Sequence, residues 1–596
     1  MRRWEVERGL PVHRVPGAGR GSVFAYREEL DRWLEGAGKA SGDSGPVAAI
    51  EPEPVKPEGD GERVAPAPSP APVLVPAAKP ASSSPTGRNP LLWSLPIVVL
   101  AAFLIVIVYR NRGARFQTLA ATPGKRPVAS LQVVSQSVAV LPFVNGRGAG
   151  NDYLSDGVTE SLIGNLAHLP QVKVRSRDSV FRYKGKDVEV RTIGKELGVS
   201  VVVTGRVTTR GDNVDISAEL TDVRDNTEIW GNHYSGKTAN LIALQQQMSG
   251  DIAQRLRATL SSAEKQRVID QGTDDPEAYS LYLKGRYAFY TRSYGQLPVA
   301  ISLFNQAIAK DKEYALAYSG LADVYSVRPE FGGNPSEDYP KSNAAARKAL
   351  ELDPTLAHPH AVLGSNEMGY DWDFAGGEAE FKKAIELDAN DATAHQWYAE
   401  RLAAIGGREK EAWAEINVAH QLDPQAPVIR RVMGSVLVMG RRFDDAIAVC
   451  KQLESEEPAF TLAHDCLGYA YWGKRMYPEV VEEWKMYGQL SGNREEAEWS
   501  AALERGFQAG GWNGSLTEAI RILEAQRKTG YTSPYKIARL YADLGDKEKA
   551  LEWLETAYRE HDWLLMELNT GFQFDGMRRD ARFQELVKKV GLAGNR

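Results

Sequence analysis

From about residue 276 the chain repeats itself with a period near 34 residues, and no other feature constrains its fold as tightly. Gly434 and Gly468 stand 34 residues apart, and so do Pro424 and Pro458. The phrases ALELDP (ending at Pro354), AIELDAN (ending at Asn390) and HQLDP (ending at Pro424) each close an apolar-periodic stretch. A proline just past a helix cannot continue it, so it marks a corner between repeats. Repeat starts at Tyr318-Ser-Gly-Leu-Ala, His395-Gln-Trp-Tyr-Ala and Tyr535-Lys-Ile-Ala-Arg carry small residues at Ala322, Ala399 and Ala538, which let paired helices approach closely. Phe304, Phe381 and Leu554 are large enough to fill the groove between them. One such helix pair cannot bury its apolar face alone, so the pairs must stack into an all-α superhelical solenoid. The spacing predicts six or seven repeats over 276–566, with 492–533 as an eroded repeat and 567–596 as a C-terminal capping helix.

The array resembles tetratricopeptide (TPR) proteins. The phrase YDWDFAGGEAEFKKAIELDANDATAHQWYAE at 370–400 is similar to the version fused to TolB-like domains. That resemblance implies a concave face that takes a protein or peptide partner and carries no chemistry of its own.

Residues 137–262 alternate strand and helix signals. Strands are expected at Ser137–Phe143, Val172–Arg175, Val199–Thr208 and Val214–Val223, with a hairpin turn at Gly211-Asp212-Asn213. Helices are expected at Tyr153–Leu169, Arg191–Leu197 and Ile242–Leu260. The blocks VAVLPF (Val138–Phe143), YLSDGVTESL (Tyr153–Leu162), VVVTGRV (Val201–Val207) and EIWGNHY (Glu228–Tyr234) resemble the TolB-like domain of CadC-type regulators. The resemblance implies an extracytoplasmic α/β binding module. Gly146, Gly148 and Gly150 follow the first strand, but Asn151 stands where a dinucleotide fingerprint needs glycine, so they read as a flexible loop.

Leu91–Tyr109 is a run of nineteen residues without a charge, long enough as a helix to cross a bilayer's hydrocarbon core. Trp93 and Tyr109 sit at its ends, where amphipathic rings suit the interfaces, and Pro96 lies early, where a proline costs least. A single membrane-spanning helix is expected, flanked by a Pro/Ala-rich linker at 39–90 and a juxtamembrane linker at 110–136. The charge bias places the C-terminal side in the cytosol, whereas the TolB-like resemblance places it in the periplasm. The resemblance is preferred, because long translocated domains override modest charge bias. The N-terminus is then cytoplasmic and the protein sits in the inner membrane.

Residues 1–38 are basic. Up to Arg27 there are six arginines against two glutamates, and a strand is expected at Ser22–Tyr26 after the turn-like Val15–Gly21. The stretch RRWEVERGLPVHR, its glycine-rich wing and YREELDRWL resemble the second half of excisionase-type or MerR-like helix-turn-helix domains. That family has a first helix and turn before this stretch, so a truncated piece is expected here, either a remnant or a domain whose start lies upstream of Met1. The resemblance implies DNA contacts from Arg2, Arg3, Arg8, Arg14 and Arg20; the plain alternative is a basic tail. The charge balance agrees with this division. Residues 275–596 hold 38 Lys+Arg against 49 Asp+Glu, which makes the repeats a poor nucleic-acid surface.

Catalytic and metal motifs are missing. There is no HExxH, GxSxG or phosphate-loop signature, and no kinase or cyclase core. Asp371–Gly376 opens like a calcium loop, but Lys382 stands where the bidentate glutamate belongs. His358 and His360 lack a third ligand at suitable spacing. Two cysteines exclude a disulfide-built scaffold, although Cys450 and Cys466 lie on neighbouring helices where a bond is feasible. Trp372, Trp397, Trp472 and Trp484 read mostly as core, with one or two on the concave face. The sequence thus points to a multidomain protein without catalysis, cofactor or metal. It is read as a membrane-anchored sensor related to one-component transcriptional regulators, with a protein or peptide partner on the TPR face, lipid around its anchor, DNA at its N-terminal piece and self-association possible in principle. The alternative is a membrane-anchored assembly scaffold without DNA binding.

Overall fold

The computed structural model describes His13–Arg14, Val23–Phe24 and residues 136–594, the last with breaks at 147–151, 168, 170–171, 187, 257–271 and 292–294. The chain divides into two bodies, Met1–Lys125 and Arg126–Arg596. In the first, His13–Arg14 pairs antiparallel with Val23–Phe24, His13 opposite Phe24. This matches the strand expected at Ser22–Tyr26 and puts Arg14 on its antiparallel partner strand. Arg2, Arg3, Arg8 and Arg20, the span Leu91–Tyr109 with Trp93 and Pro96, and the linker 39–90 lie outside the described residues. Among the described residues no helix is long and apolar enough to cross a membrane.

The second body begins with an α/β domain. Its elements are β1 (Gln136–Val140), β2 (Val144–Asn145), α1 (Asp152–Ala167), β3 (Val172–Val174), α2 (Arg177–Phe181), α3 (Val190–Glu196), β4 (Val201–Arg210), β5 (Asn213–Asp222), β6 (Thr227–Lys237) and α4 (Leu241–Arg255). The strand order is β3-β1-β4-β5-β6, with β2 also paired to β4. β1 runs parallel to β3 and β4, while β4, β5 and β6 form an antiparallel meander. Side chains alternate across β1 as a pleated strand requires. Val138 and Val140 face a core built with α1 and α4, and Ala139 and Leu141 face a second core built with α2 and α3. Arg210 opposes Asn213, so the hairpin turn is the two residues Gly211-Asp212, with Gly211 at φ +59°. Besides the two-residue β2, two elements were not foreseen. α2 is only five residues long, and β6 is an edge strand exposed over most of its length, so neither carries a strong apolar period.

Among the described residues the repeats form eight helix pairs, where six or seven were expected. They are α5 (Pro276–Tyr290) with α6 (Gln296–Lys310), α7 (Ala315–Val327) with α8 (Pro335–Leu352), α9 (His358–Asn366) with α10 (Phe374–Leu387), and α11 (Ala392–Ile405) with α12 (Glu409–Leu422). Then come α13 (Pro427–Met439) with α14 (Phe443–Glu456), α15 (Thr461–Gly473) with α16 (Tyr477–Leu490), the two halves of α17 (Arg494–Gln526), and α18 (Pro534–Leu544) with α19 (Lys547–Arg559). The supposed eroded repeat is a genuine pair. The backbone leaves the helical region at Gly510 and Gly511, the latter at φ +61°. The chain doubles back there: Ser515 Oγ donates to the Leu503 carbonyl at 2.8 Å, and Gln526 Nε2 to the Glu495 carbonyl at 3.1 Å. Gly506 and Gly514 touch backbone to backbone where the two halves cross, so no side chain fits at either.

Local rules set the helix starts. Asp275 and Asp391 cap α5 and α11 by accepting from the second and third amides that follow them. The anchor glycines are explained by volume. A Cβ at Gly364 would meet Phe381, one at Gly434 both cysteine sulfurs, and one at Gly468 the Trp484 ring. Each glycine on a first helix lets a larger side chain approach. Cys450 and Cys466 form a disulfide between α14 and α15. The expected C-terminal cap is not one helix: two 3₁₀ turns, Trp563–Glu567 and Phe572–Met577, precede α20 (Ala581–Lys589). The stacked antiparallel pairs make this part of the chain a TPR-type solenoid.

Candidate functional site: a chamber on the concave face

The α/β domain is anchored to the solenoid at two places. The first is continuous core. Ala278, Tyr279 and Leu283 of α5 pack into the sheet's main cluster, and Gly157 of α1 leaves room for Leu283. Tyr279 Oη also hydrogen-bonds to Ser161 Oγ at 3.2 Å and to Gln245. The second is a polar clasp four repeats further on. The Ser176 amide donates to Asp423 Oδ2 at 2.9 Å, and the Ser179 hydroxyl donates to the other oxygen of the same carboxylate. Arg175 donates from Nε to the Leu197 carbonyl at 2.7 Å and from a guanidinium nitrogen to the Leu422 carbonyl. Arg182 pairs with Glu457.

The aspartate of this clasp is a diverted repeat residue. Asp353 and Asp388, at the same place in their repeats, cap their own turns by accepting from the Thr355 and Asn390 amides at 2.9 Å. Asp423 instead reaches across to the start of α2. Burial pushes its carboxyl up, against the lowering effect of the Ser176 and Ser179 hydrogen bonds.

Between the two anchors lies a chamber of about 1480 Å³. Among the described residues thirteen carboxylate side chains and five arginines line it, with no lysine, so this part of its wall is acidic. The arginines are engaged in the wall. Arg286 donates to Glu160 at 2.7 Å and to Asp323 at 2.9 Å, and Arg431 donates to Glu400 at 2.9 Å. Arg401 donates to Ser365 Oγ at 2.8 Å. Asp323 also meets His358 Nε2 at 2.6 Å. Burial alone would raise Asp323, but His358 and Arg286 outweigh it and hold the carboxyl below its usual range. Burial likewise opposes the charge on His358, and Asp323 outweighs it, so the imidazole is raised.

The structure separates the two histidines of the HPH phrase. His358 faces Asp323 in the chamber wall, whereas His360 Nδ1 meets Glu380 at 2.6 Å, so they do not share a ligand. Trp397 lines the chamber, its ring 5.6 Å from His358. Trp472 and Trp484 are buried core residues, as expected. Trp372 stacks on His561 at 4.9 Å and on Tyr558 at 5.3 Å. The clasp at Asp423 was missed from sequence, because HQLDP reads like the other repeat endings. The remaining signal was Arg175-Ser176 directly after a strand, although Ser176 is also accounted for locally as the cap of α2.

No family model matches the chain. Over 230 residues it is 28% identical to the putative adenylate cyclase 3 of Rhizobium meliloti (strain 1021), a stretch covering 38% of this chain and 39% of that protein. The chain thus matches well under half the length of this relative. Among solved structures, it is similar to the human IFIT1 dimer with m7Gppp-AAAA (14% identity, 53% of this chain, 77% of that one, TM-score 0.35). It is also similar to yeast Tom70 (14% identity, 59% and 82%, TM-score 0.33) and Pseudomonas aeruginosa pilF (17% identity, 47% and 98%, TM-score 0.26).

Proposed function

We propose that the protein is a non-catalytic sensor whose chamber holds a basic segment of a partner protein or peptide. The observation that carries this reading is the acidic chamber between the α/β domain and the first repeats. Among the described residues, Arg286 and Arg431 are already paired with carboxylates and Arg177 stands 3.5 Å from Glu160, so a cationic segment finds the remaining carboxylates to meet. The reading needs no cyclase chemistry, and the likeness to a putative adenylate cyclase covers only 39% of that protein.

The finer part of the proposal extends to the whole chain. Leu91–Tyr109 anchors it in the inner membrane, the α/β domain is TolB-like, and both it and the repeats lie in the periplasm. The Cys450–Cys466 bond supports an oxidising compartment for the repeats. The basic N-terminal piece, with Arg2, Arg3, Arg8, Arg14 and Arg20, reaches DNA in the cytoplasm, as in a one-component regulator. Partner binding then alters the association of the N-terminal arms and so their hold on DNA.

Fluorescence anisotropy with the full chain tests the chamber, using a Lys/Arg-rich and a Glu-rich decapeptide. The basic peptide is expected to bind in preference. The double reversal Asp178→Lys with Glu313→Lys, both exposed on the chamber wall, is expected to weaken it about tenfold or more. Equal binding of both peptides, or no effect of the reversal, refutes the chamber as the site. Topology is tested with an impermeant thiol reagent on single cysteines at Ser41 and Thr118, with Cys450 and Cys466 replaced. Labelling only at 118 agrees with the sensor. Labelling only at 41 removes the DNA role and leaves a scaffold.

A further inference from the structure

The first helix of several repeats carries a basic side chain that faces a glutamate on the second. His360 Nδ1 meets Glu380 at 2.6 Å, His395 Nδ1 meets Glu415 at 2.6 Å, and His464 Nδ1 meets Glu483 at 2.8 Å. Arg430 holds the corresponding place in α13 and donates to Glu456 at 2.6 Å. These pairs form a ladder that ties first helix to second along the solenoid. Each needs one carboxylate and one base.

The rung at His464 has more than the ladder requires. Ten residues before His360 and His395, on the preceding helix, stand Leu350 and Ile385, both half-buried apolar side chains, and ten before Arg430 stands His420, so none of these three places holds a carboxylate. Ten residues before His464 stands Glu454. Its Oε1 lies 3.8 Å from the same Nδ1 that meets Glu483. The imidazole is buried, with a side-chain exposure of 5%, and both carboxylates converge on it from α14 and α16. All three donor atoms lie within 4.8 Å of one another. A second carboxylate on one imidazole adds like charge beside Glu483, which the His360 and His395 rungs do without.

We propose that Glu454, His464 and Glu483 form a binding site for a divalent transition-metal ion of the zinc type. One imidazole nitrogen and two carboxylate oxygens make a donor set that suits borderline ions. Donors in a tetrahedral zinc shell are about 3.3 Å apart, given bonds near 2.0 Å, so small side-chain rotations bring these atoms into range. The backbone is already held. The Cys450–Cys466 bond ties α14 to α15, one turn before Glu454 and two residues after His464. The metal would link three consecutive helices, α14, α15 and α16, beside that cross-link. The proposal is independent of the chamber, and its failure leaves the peptide-binding reading untouched.

Isothermal titration of the full, EDTA-stripped and oxidised chain with Zn²⁺ tests it, with free thiols assayed to show that the disulfide is intact. One zinc per chain is expected. The variant Glu454→Leu gives this place the residue type of the His360 and His395 rungs and keeps the His464–Glu483 pair, so it is expected to fold and to lose at least about tenfold in affinity. Glu483→Gln serves as the second variant, and circular dichroism checks the fold of both. With Co²⁺ as the probe, the wild-type chain is expected to show visible ligand-field absorption that Glu454→Leu lacks. No zinc uptake overturns the proposal. So does uptake unchanged in both variants, or uptake that appears only after the disulfide is reduced.

Discussion

The two ends of the solenoid's concave face are filled in opposite ways. Toward the C-terminus the chain fills it with its own residues. The 3₁₀ turns at Trp563–Glu567 and Phe572–Met577 fold back over the inner helices: Thr570 Oγ1 donates to the Ala404 carbonyl at 3.1 Å and Asn569 Nδ2 to the Ile405 carbonyl at 3.4 Å. Aromatic rings close the space, with Phe572 edge-on to Trp472 at 5.5 Å. The indole N–H groups of Trp472 and Trp512 both donate to one oxygen of Asp543, at 2.8 and 2.6 Å. Toward the N-terminus the same face is walled by ion pairs and capped by a separate domain across an open chamber. Repeats of one fold thus serve two ends. Where the wall is aromatic it stabilises and admits nothing; where it is charged it contributes little net stability and leaves room for a partner.

The strongest break of this contrast is a pair of aromatic truncations. Phe574 is fully buried, with Tyr535 and Phe583 rings at 5.5 and 5.7 Å. Phe574→Ala is expected to destabilise the solenoid by about 3–5 kcal/mol through cavity formation. Trp397 is half-buried on the chamber wall, and Trp397→Ala is expected to cost about 1 kcal/mol or less of stability while weakening peptide binding. Guanidinium denaturation of the two variants reads the difference. Equal losses would mean that the chamber wall is as tightly packed as the plugged end, and the contrast would fall.

The clasp comes next in size. Asp423→Ala leaves the Ser176 amide and the Ser179 hydroxyl without their shared acceptor in a buried place. A loss of about 1–3 kcal/mol is expected, confined to the contact between α2 and the repeats. Hydrogen exchange is the measurement: amides at Arg177–Phe181 should exchange faster, and those at 572–577 should not change. Faster exchange at both would show that the two ends are one cooperative unit.

These features differ in how far the sequence announces them. The repeat pairs were legible because each must bury one apolar stripe, and glycines and prolines mark their corners every 34 residues or so. The strands β1, β4 and β5 were legible because a buried sheet enforces alternation or a continuous β-branched run. The seventh pair was hidden because its turn is only Gly510-Gly511 and its crossing is made by backbone at Gly506 and Gly514, with no large side chain to mark it. The chamber was invisible for a different reason. Asp353 and Asp423 occupy the same short phrase, and only the approach of α2 decides that one caps its own turn while the other holds a domain. Tertiary proximity of that kind leaves no period to read.

The smallest expected effect lies where the two ends meet. Glu567 closes the first 3₁₀ turn of the plugged end, near Arg401 and Glu400 of the chamber wall. Burial pushes its carboxyl up to about 7, with Arg539 pulling the other way and Glu400 adding to the rise. An unfolded glutamate titrates near its ordinary value, about 4.3. Between those values the folded chain holds a proton that the unfolded chain has released, so unfolding releases a proton and stability falls as pH rises. The contribution is fully present below the unfolded value and is lost as pH passes through about 7. Glu567→Gln keeps the shape and removes the titration. Because the side chain retains some exposure, the expected gain over the wild type is about 1 kcal/mol at pH 8, shrinking toward zero near pH 5. Other buried carboxylates titrate in the same range, Asp338 and Asp388 both raised to about 6, so the difference between the two proteins across pH is the quantity to measure. A difference that stays constant with pH would place Glu567 in contact with water and extend the open chamber into the plugged end.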